Sequence, residues 1–297
     1  MKAVEKAAAA DSLHFHVTSE RLFLDNLVFD ADGVAMKHYR AQGNQYNPLF
    51  VAWWGLVNLE RYVHRSDEAC LKTFLTQVRW LKAQAVERPD GAVIWPCYFD
   101  WQEGWCRLRS PWYSAMYQGV VISALVRAYR LTHDRELLEL CDKGTRVFEK
   151  TIEEGGVRTI QNGRVLYEEY PAYPLARVLD GFMFSLLGLY DLHVQTRNPA
   201  LLRLFTEGID GLTAALDFWN YRNKWSWYGA HGYLCPPHYH KLNYVLLSIL
   251  GRLTGEKILY DYAERWDIKS KSIADKVEIY VMYILTQNMA RLRLPRN

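Results

Sequence analysis

Four short junctions of one kind recur along the chain and limit what it can fold into: His64-Arg-Ser-Asp67, Thr132-His-Asp-Arg135, Thr196-Arg-Asn-Pro199 and Thr254-Gly-Glu-Lys257. On both sides of each, apolar residues recur every three or four positions, the period of a helix with one buried face. Val121, Leu125, Ala128 and Tyr129 make one such face while Arg127 and Arg130 point elsewhere. The helices predicted in this way run from Pro48 to Arg65, Glu68 to Val86, Tyr113 to Thr132, Arg135 to Thr151, Pro174 to Thr196, Pro199 to Trp219, His240 to Leu253, Lys257 to Trp266 and Ile273 to Arg291. With Asp67, Asp134, Pro199 and Glu256 taken as equivalent, the spacings are 67, 65 and 57 residues. That is room for a long helix, a tight turn, a second helix and a longer return loop. A helix hairpin cannot bury its apolar stripe alone, so repeated hairpins pack side by side, and closing them into a ring gives an α/α toroid; an open solenoid is the alternative. The expected fold is therefore all-α, an α/α toroid of repeated hairpins with a few short β-strands in long loops. Those strands are placed around Leu22 to Phe29, Val93 to Cys97, Arg158 to Leu166 and Lys224 to Tyr228. Residues 1–45 read as a short N-terminal segment, partly β, and 46–297 as the toroid.

Charge and composition then remove whole classes of function. The 36 basic and 33 acidic side chains leave a formal net charge of +3, and no RNP, helix-turn-helix or zinc-finger pattern is present, so no nucleic-acid partner is expected. No run approaches the roughly 20 apolar residues of a membrane helix. MKAVEKAAAADSLHFH lacks an apolar core of signal-peptide length, so the expectation is a protein without a membrane partner in the cytoplasm. Cys70, Cys97, Cys106, Cys141 and Cys235 are odd in number and show no CxxC spacing, which suits reduced thiols rather than a zinc site. There is no Walker loop, no GxGxxG after a strand and no GxSxG elbow, and no cofactor is expected.

The return loops, Pro89 to Trp112, Gly155 to Tyr173 and Tyr221 to Tyr239, are long and aromatic, and long loops on a rigid scaffold are where function usually sits. The first carries Trp95, Tyr98, Phe99, Trp101, Trp105, Trp112 and Tyr113 beside Asp100, Glu103, Arg107 and Arg109. Rings with fixed charges suit a sugar chain, whose C–H faces stack on them while charged groups take its hydroxyl and acid groups; a satellite core under a loop is the plainer reading. The second carries Tyr167-Glu-Glu-Tyr-Pro171, two carboxylates beside a phenol stiffened by Pro171 and Pro174, as proton transfer requires. From spacing alone Glu168 and Glu169 are more simply a solvated surface pair. The third carries His231 and His238-Tyr-His240; no third ligand stands at a metal-binding distance along the chain, so no metal site is assigned. Asp100 or Glu103 with Glu169 would also serve a glycoside hydrolase.

Several segments in order resemble one family: Tyr46-Asn-Pro48, Ser114-Ala-Met-Tyr-Gln-Gly119 and its continuation to Tyr129, Tyr167 to Pro171, Leu179 to Asp191, and Tyr239-His240. Together they are similar to the C-terminal catalytic domain of the D-glucuronyl C5-epimerases, over about Tyr46 to Trp266. The resemblance implies an α/α toroid that, without a nucleotide cofactor, inverts C5 of glucuronic acid residues in a heparosan-type polysaccharide. It also implies catalytic roles for Tyr170 and Glu169 on one side of the sugar ring and Tyr239 on the other. Tyr228, Trp227, His238, His240, Arg177, Gln118, Arg109 and Tyr113 are then candidates for substrate binding. Gln118 is more simply a packing amide, and Asp180 a cap or packing residue. The family's arginine before its Tyr-His pair has no counterpart in Trp225-Ser-Trp-Tyr-Gly-Ala-His231, which leaves His231 or Arg177 to take the sugar's carboxylate.

The expected activity is a uronic acid C5-epimerase-like one, removing and restoring the C5 proton of glucuronic acid residues in an acidic polysaccharide or oligosaccharide. A polysaccharide lyase shares the first step and expels the C4 substituent. A glycan-binding module without chemistry is the third reading, and a homodimer is left open.

Overall fold

The computed structural model describes residues 24–293. A three-stranded antiparallel sheet comes first, β1 (Leu27–Phe29), β2 (Ala35–Tyr39) and β3 (Gly43–Gln45). Four helix hairpins follow: α1 (Pro48–Arg65) with α2 (Glu68–Ala83), α3 (Ala115–Thr132) with α4 (Arg135–Thr145), α5 (Leu179–Thr196) with α6 (Pro199–Ala215), and α7 (Pro237–Thr254) with α8 (Lys257–Trp266). The last helix is α9 (Ile273–Arg293). The first helix of each hairpin packs on the first helix of the next, and the second helices lie outside them. Composition explains the division: every residue of α3 from Ala115 to Ala128 is buried, whereas α4 buries only one stripe. No helix is long and apolar enough to cross a membrane among the described residues. The five cysteines are free.

The repeated junction has a physical basis in its caps. Each first helix ends on a residue in the left-handed region, Ser66 (φ 54°), His133 (φ 58°), Arg197 (φ 57°) and Gly255 (φ 76°), whose N–H returns to Tyr62, Tyr129, His193 and Gly251 respectively. The next residue restarts a helix. Asp67, Asp134 and Asn198 accept the N–H of the residue two places on, and Glu256 fills the fourth place without a side-chain cap. The third equivalent is thus Asn198 rather than Pro199. Proline takes the first helical position, where its missing N–H costs nothing.

Helix ends differ from expectation where loops reclaim residues. The segment from Pro174 to Val178 is not helical and α5 begins at Leu179; α4 gives way to a 3-10 turn at Arg146–Phe148, and α6 to another at Leu216–Trp219. Arg158 to Leu166 is a hairpin of β8 (Arg158–Gln161) and β9 (Arg164–Tyr167), turning at Asn162-Gly163 with both residues at positive φ. Asn-Gly is the strongest two-residue hairpin signal a sequence carries. The remaining strands pair as β4 (Val86–Glu87) with β5 (Val93–Ile94), β6 (Trp101–Glu103) with β7 (Cys106–Leu108), and β10 (Asn220–Tyr221) with β11 (Trp225–Ser226). Of the strand expected around Leu22 to Phe29, residues up to 23 lie outside the described residues.

Two features lock α3 to α5. A Cβ on Gly188 would lie 2.3 Å from the carbonyl oxygen of Gly119, so the helices touch backbone to backbone there. One turn further, Asp191 accepts hydrogen bonds from Ser123 at 2.7 Å and Arg127 at 2.8 Å, with both charged side chains almost wholly buried.

Candidate active site

Because each hairpin turns tightly at one end, the long connections gather at the other, and there they clasp one another. The thiol of Cys106 on the first loop donates to the carbonyl of Ala172 on the second, at 3.3 Å. The third loop lies on the second through Ala230, whose N–H donates to the Ala176 carbonyl at 2.8 Å. His231 of the third loop closes the circuit by facing Glu103 of the first, Nε2 to Oε1 3.6 Å.

Inside the clasp is a cluster of acids and phenols. Glu169 and Asp180 are buried, at 5% and 4% exposure, and Glu103 sits beside them at the end of β6. Burial raises all three carboxyl groups above their ordinary range, and repulsion from neighbouring carboxylates adds to it at two of them: Glu103 is pushed up to about 7 with a contribution from Asp180, Glu169 well above its usual value with contributions from Asp180, Glu103 and Glu168, and Asp180 to about 6 by burial. Asp180 is held in the first turn of α5, where the helix's unpaired N–H groups face it. Around the acids stand Tyr170, Tyr228, Tyr233 and Tyr239. Burial raises each phenol, and each feels both Glu103 and a second carboxylate of the cluster. The ring of Tyr228 lies 5.9 Å from that of Tyr239 and 5.2 Å from that of Tyr233, and the ring of Tyr170 lies 6.2 Å from that of Trp112. Buried carboxyls and phenols whose acidity is weakened in this way are groups that exchange protons with a bound molecule. Among the described residues no group of three or more His, Cys, Asp or Glu side chains has the geometry to hold a metal ion.

The family described as the D-glucuronyl C5-epimerase C-terminus matches residues 90–268, which contain the whole of this cluster. The chain belongs to this family. It is 31% identical over 230 residues to a D-glucuronyl C5-epimerase of Caenorhabditis elegans, a match covering 71% of this chain and 37% of that protein. It is 26% identical over 211 residues to an uncharacterized protein of Methanocaldococcus jannaschii, covering 70% of this chain and 67% of that one. The chain thus spans well under half the length of its nematode epimerase relative. Among solved structures it is similar to a GH76 α-mannanase of Bacteroides thetaiotaomicron (TM-score 0.53, 12% identity, 82% of this chain and 63% of that one) and to a D-mannose isomerase (TM-score 0.50, 13% identity, 81% and 61%). At such identities the likeness establishes the fold, an α/α toroid.

Of the residues singled out in the epimerase-family motifs, the structure brings Glu169, Tyr170, Tyr228 and Tyr239 together, with His238 exposed at the edge and its ring 4.4 Å from that of Tyr239. Others are engaged elsewhere. Gln118 is a staple, accepting from the Trp95 N–H at 3.0 Å and donating to the carbonyls of Val93 at 2.9 Å and Gly144 at 3.0 Å. Tyr113 donates to the Gly155 carbonyl and accepts from Arg88 at 3.1 Å, tying the first loop to the second. Arg109 lies exposed against Asp100. His240 is fully engaged: its Nδ1 accepts from the Ser226 N–H at 3.1 Å, which leaves Nε2 to donate to the Trp266 carbonyl at 2.8 Å. Burial pushes its pKa down to about 3, so it stays neutral. Trp227 packs edge-on against Tyr221 at 5.4 Å in the small apolar cluster beneath α9.

The adjacent glutamates are also not a solvated pair. Both are buried, and they diverge: Glu168 is bound by the Arg177 guanidinium and the Thr159 hydroxyl, while Glu169 turns into the acid cluster. Arg177 therefore neutralises Glu168 instead of waiting for a ligand. Asp180, read from sequence as a cap, belongs to the cluster, and Tyr233 had no sequence signal beyond its place in an aromatic loop.

Gly181 fixes where the Glu169 carboxylate rests. A Cβ at that position would come within 2.2 Å of Oε2 and 2.6 Å of the Glu169 Cβ. Gly181→Ala should therefore displace the carboxylate, while the better helix propensity of alanine, about 1 kcal/mol, offsets part of the packing strain. Turnover falling by about 10²-fold with the unfolding midpoint little changed is the expected result. Unaltered turnover would show that the carboxylate's position is unimportant.

Proposed function

We propose that the protein is a uronic acid C5-epimerase that removes and restores the C5 proton of glucuronic acid residues in an acidic polysaccharide or oligosaccharide. The observation that carries this reading is that Glu169 and Tyr170 on one loop and Tyr239 at the start of α7 converge on one field of buried carboxyl groups from separate elements. Inversion at carbon requires that arrangement, a base for one face of the sugar ring and an acid for the other. The C5–H lies next to a carboxylate, so its loss places the C–H electron pair in an ene-diolate. Glu169, raised by burial, is a stronger base once ionised than a carboxylate in water. It takes the proton with Tyr170 as its hydrogen-bond partner, and the neutral phenol of Tyr239 delivers a proton to the opposite face. The reverse reaction exchanges the two roles. Exposed aromatic rings at the loop end, Trp105 two residues after Glu103 and Tyr173 directly after Ala172, offer stacking surfaces for flanking sugars.

The test is incubation with heparosan-type and other glucuronic acid polymers in deuterated water. Deuterium at C5 with iduronate signals in the proton spectrum is the expected outcome. Ultraviolet absorbance from unsaturated ends would make the protein a lyase, and neither signal across the panel would overturn the enzymatic reading.

A further inference from the structure

A site that stabilises an ene-diolate would be expected to meet the sugar's carboxylate with a cation, and none is paired with this cluster among the described residues. Among the described residues no lysine or arginine pairs with Glu103, Glu169 or Asp180; Arg177 is committed to Glu168, and Arg109 to Asp100 outside the cluster. What the cluster has instead is Glu103 backed by an imidazole. The Glu103 side chain keeps 15% exposure and His231 only 3%, so the carboxyl reaches the site while the ring lies behind it. His231 Nε2 is buried, has no hydrogen-bond partner and points at Glu103 Oε1 from 3.6 Å. The ring is stacked with Tyr228 at 5.8 Å and Tyr233 at 5.9 Å, which fixes its plane.

We propose that Glu103, held from behind by His231, receives the sugar's carboxylate in protonated form, so that a proton is taken up as the acidic sugar binds. The proposal rests on the reading that the substrate carries a carboxylate. Oε1 faces the His231 Nε2–H across 3.6 Å, which leaves Oε2–H to donate to the ligand. The groups that face Glu103 agree with a neutral acid: Asp180 on α5, Glu169 and Tyr170 on the second loop, Tyr228 and Tyr233 on the third, Tyr239 on α7 and Cys106 on β7. None of these is a cation. Burial holds Glu103 at about 7 and His231 at about 4, so near neutrality the imidazole is uncharged and the carboxyl is poised to keep its proton. When the C5–H electron pair enters the ene-diolate, the carboxylate oxygens become strong bases. The Glu103 proton moves from Oε2 to one of them, leaving an ionised Glu103, and returns when C5 is reprotonated. His231 is a positioning residue and takes no proton from the sugar.

The test is isothermal titration of a heparosan-type oligosaccharide, in buffers of different ionisation enthalpy, into the wild type, Glu103→Gln and His231→Leu, with C5 deuterium exchange measured alongside. For the wild type the expected result is net proton uptake and an affinity that falls about tenfold per pH unit above about 8, because the free enzyme has lost the proton the complex needs. Glu103→Gln should bind without proton uptake and without that fall. In His231→Leu the fall should begin at higher pH, since an N–H that favours the ionised carboxylate has gone; a merely structural role would leave its onset unmoved. Wild-type binding and C5 exchange without proton uptake, or unchanged uptake in Glu103→Gln, would overturn the proposal and leave the epimerase reading standing. No binding and no exchange by the wild type would overturn the epimerase reading and this one with it.

Discussion

Tyr170→Phe should lower C5 exchange by about 10³-fold while leaving the affinity for a uronic acid oligosaccharide within a few-fold of the wild type. The substitution removes one oxygen and keeps the ring, which is 6% exposed and packs against Trp112, so the loop has no reason to move. What is lost is the hydroxyl that hydrogen-bonds the Glu169 carboxylate. Positioned acid/base groups contribute typically 10² to 10⁴ in rate, which sets the size of the effect. A loss confined to kcat means that the hydroxyl acts in the transition state, whereas a rise in KM at constant kcat would mean that it only binds. Deuterium incorporation at the wild-type rate would remove Tyr170 from the mechanism.

The largest effect on stability is expected at Arg127. Its guanidinium and the Asp191 carboxylate are 4% and 2% exposed, so Arg127→Ala leaves a buried carboxylate that keeps the Ser123 hydroxyl but has lost its counter-charge, and opens space between α3 and α5. Removing one member of a buried pair costs about 3–5 kcal/mol, because the other charge keeps its desolvation penalty. Replacing both, Arg127→Met with Asp191→Leu, should recover most of that loss, since two apolar side chains of similar volume carry no such penalty. Urea unfolding with the midpoint read at constant slope distinguishes the two outcomes. A single-variant loss below about 1 kcal/mol would show that the pair contributes little.

The helical frame was legible because its signals are local. Left-handed caps and N-caps recur at each tight junction, and the period of apolar residues separates the fully buried inner helices from the one-sided outer ones. Pro48–Arg65 and Lys257–Trp266 end where the pattern says they should. The site was legible only in part. Tyr170, Glu169 and Tyr239 stood out because motif and chemistry coincide, but spacing along a loop does not say which way a side chain turns. Glu168 and Glu169 are neighbours in sequence, and one meets Arg177 while the other meets Asp180. Glu103, Asp180 and His231 follow one another at intervals of 77 and 51 residues and meet only because the return loops and the start of α5 share one end of the toroid. Arg177 and Gln118 misled for the opposite reason. A cation or an amide beside a catalytic motif reads as a ligand until its own buried partners are seen.

The contact of Gly119 with Gly188 lies in the body of α5, roughly 12 Å along the helix from the turn that carries Asp180 and supports Glu169. It works as a fulcrum. The angle at which α5 crosses α3 is set where the two backbones touch, and a small tilt there is magnified at the far end of the lever, where the acids stand. Spacing between carboxyl groups in the site is therefore governed from deep inside the helix pack, by a pair of residues that have no side chains and touch no ligand.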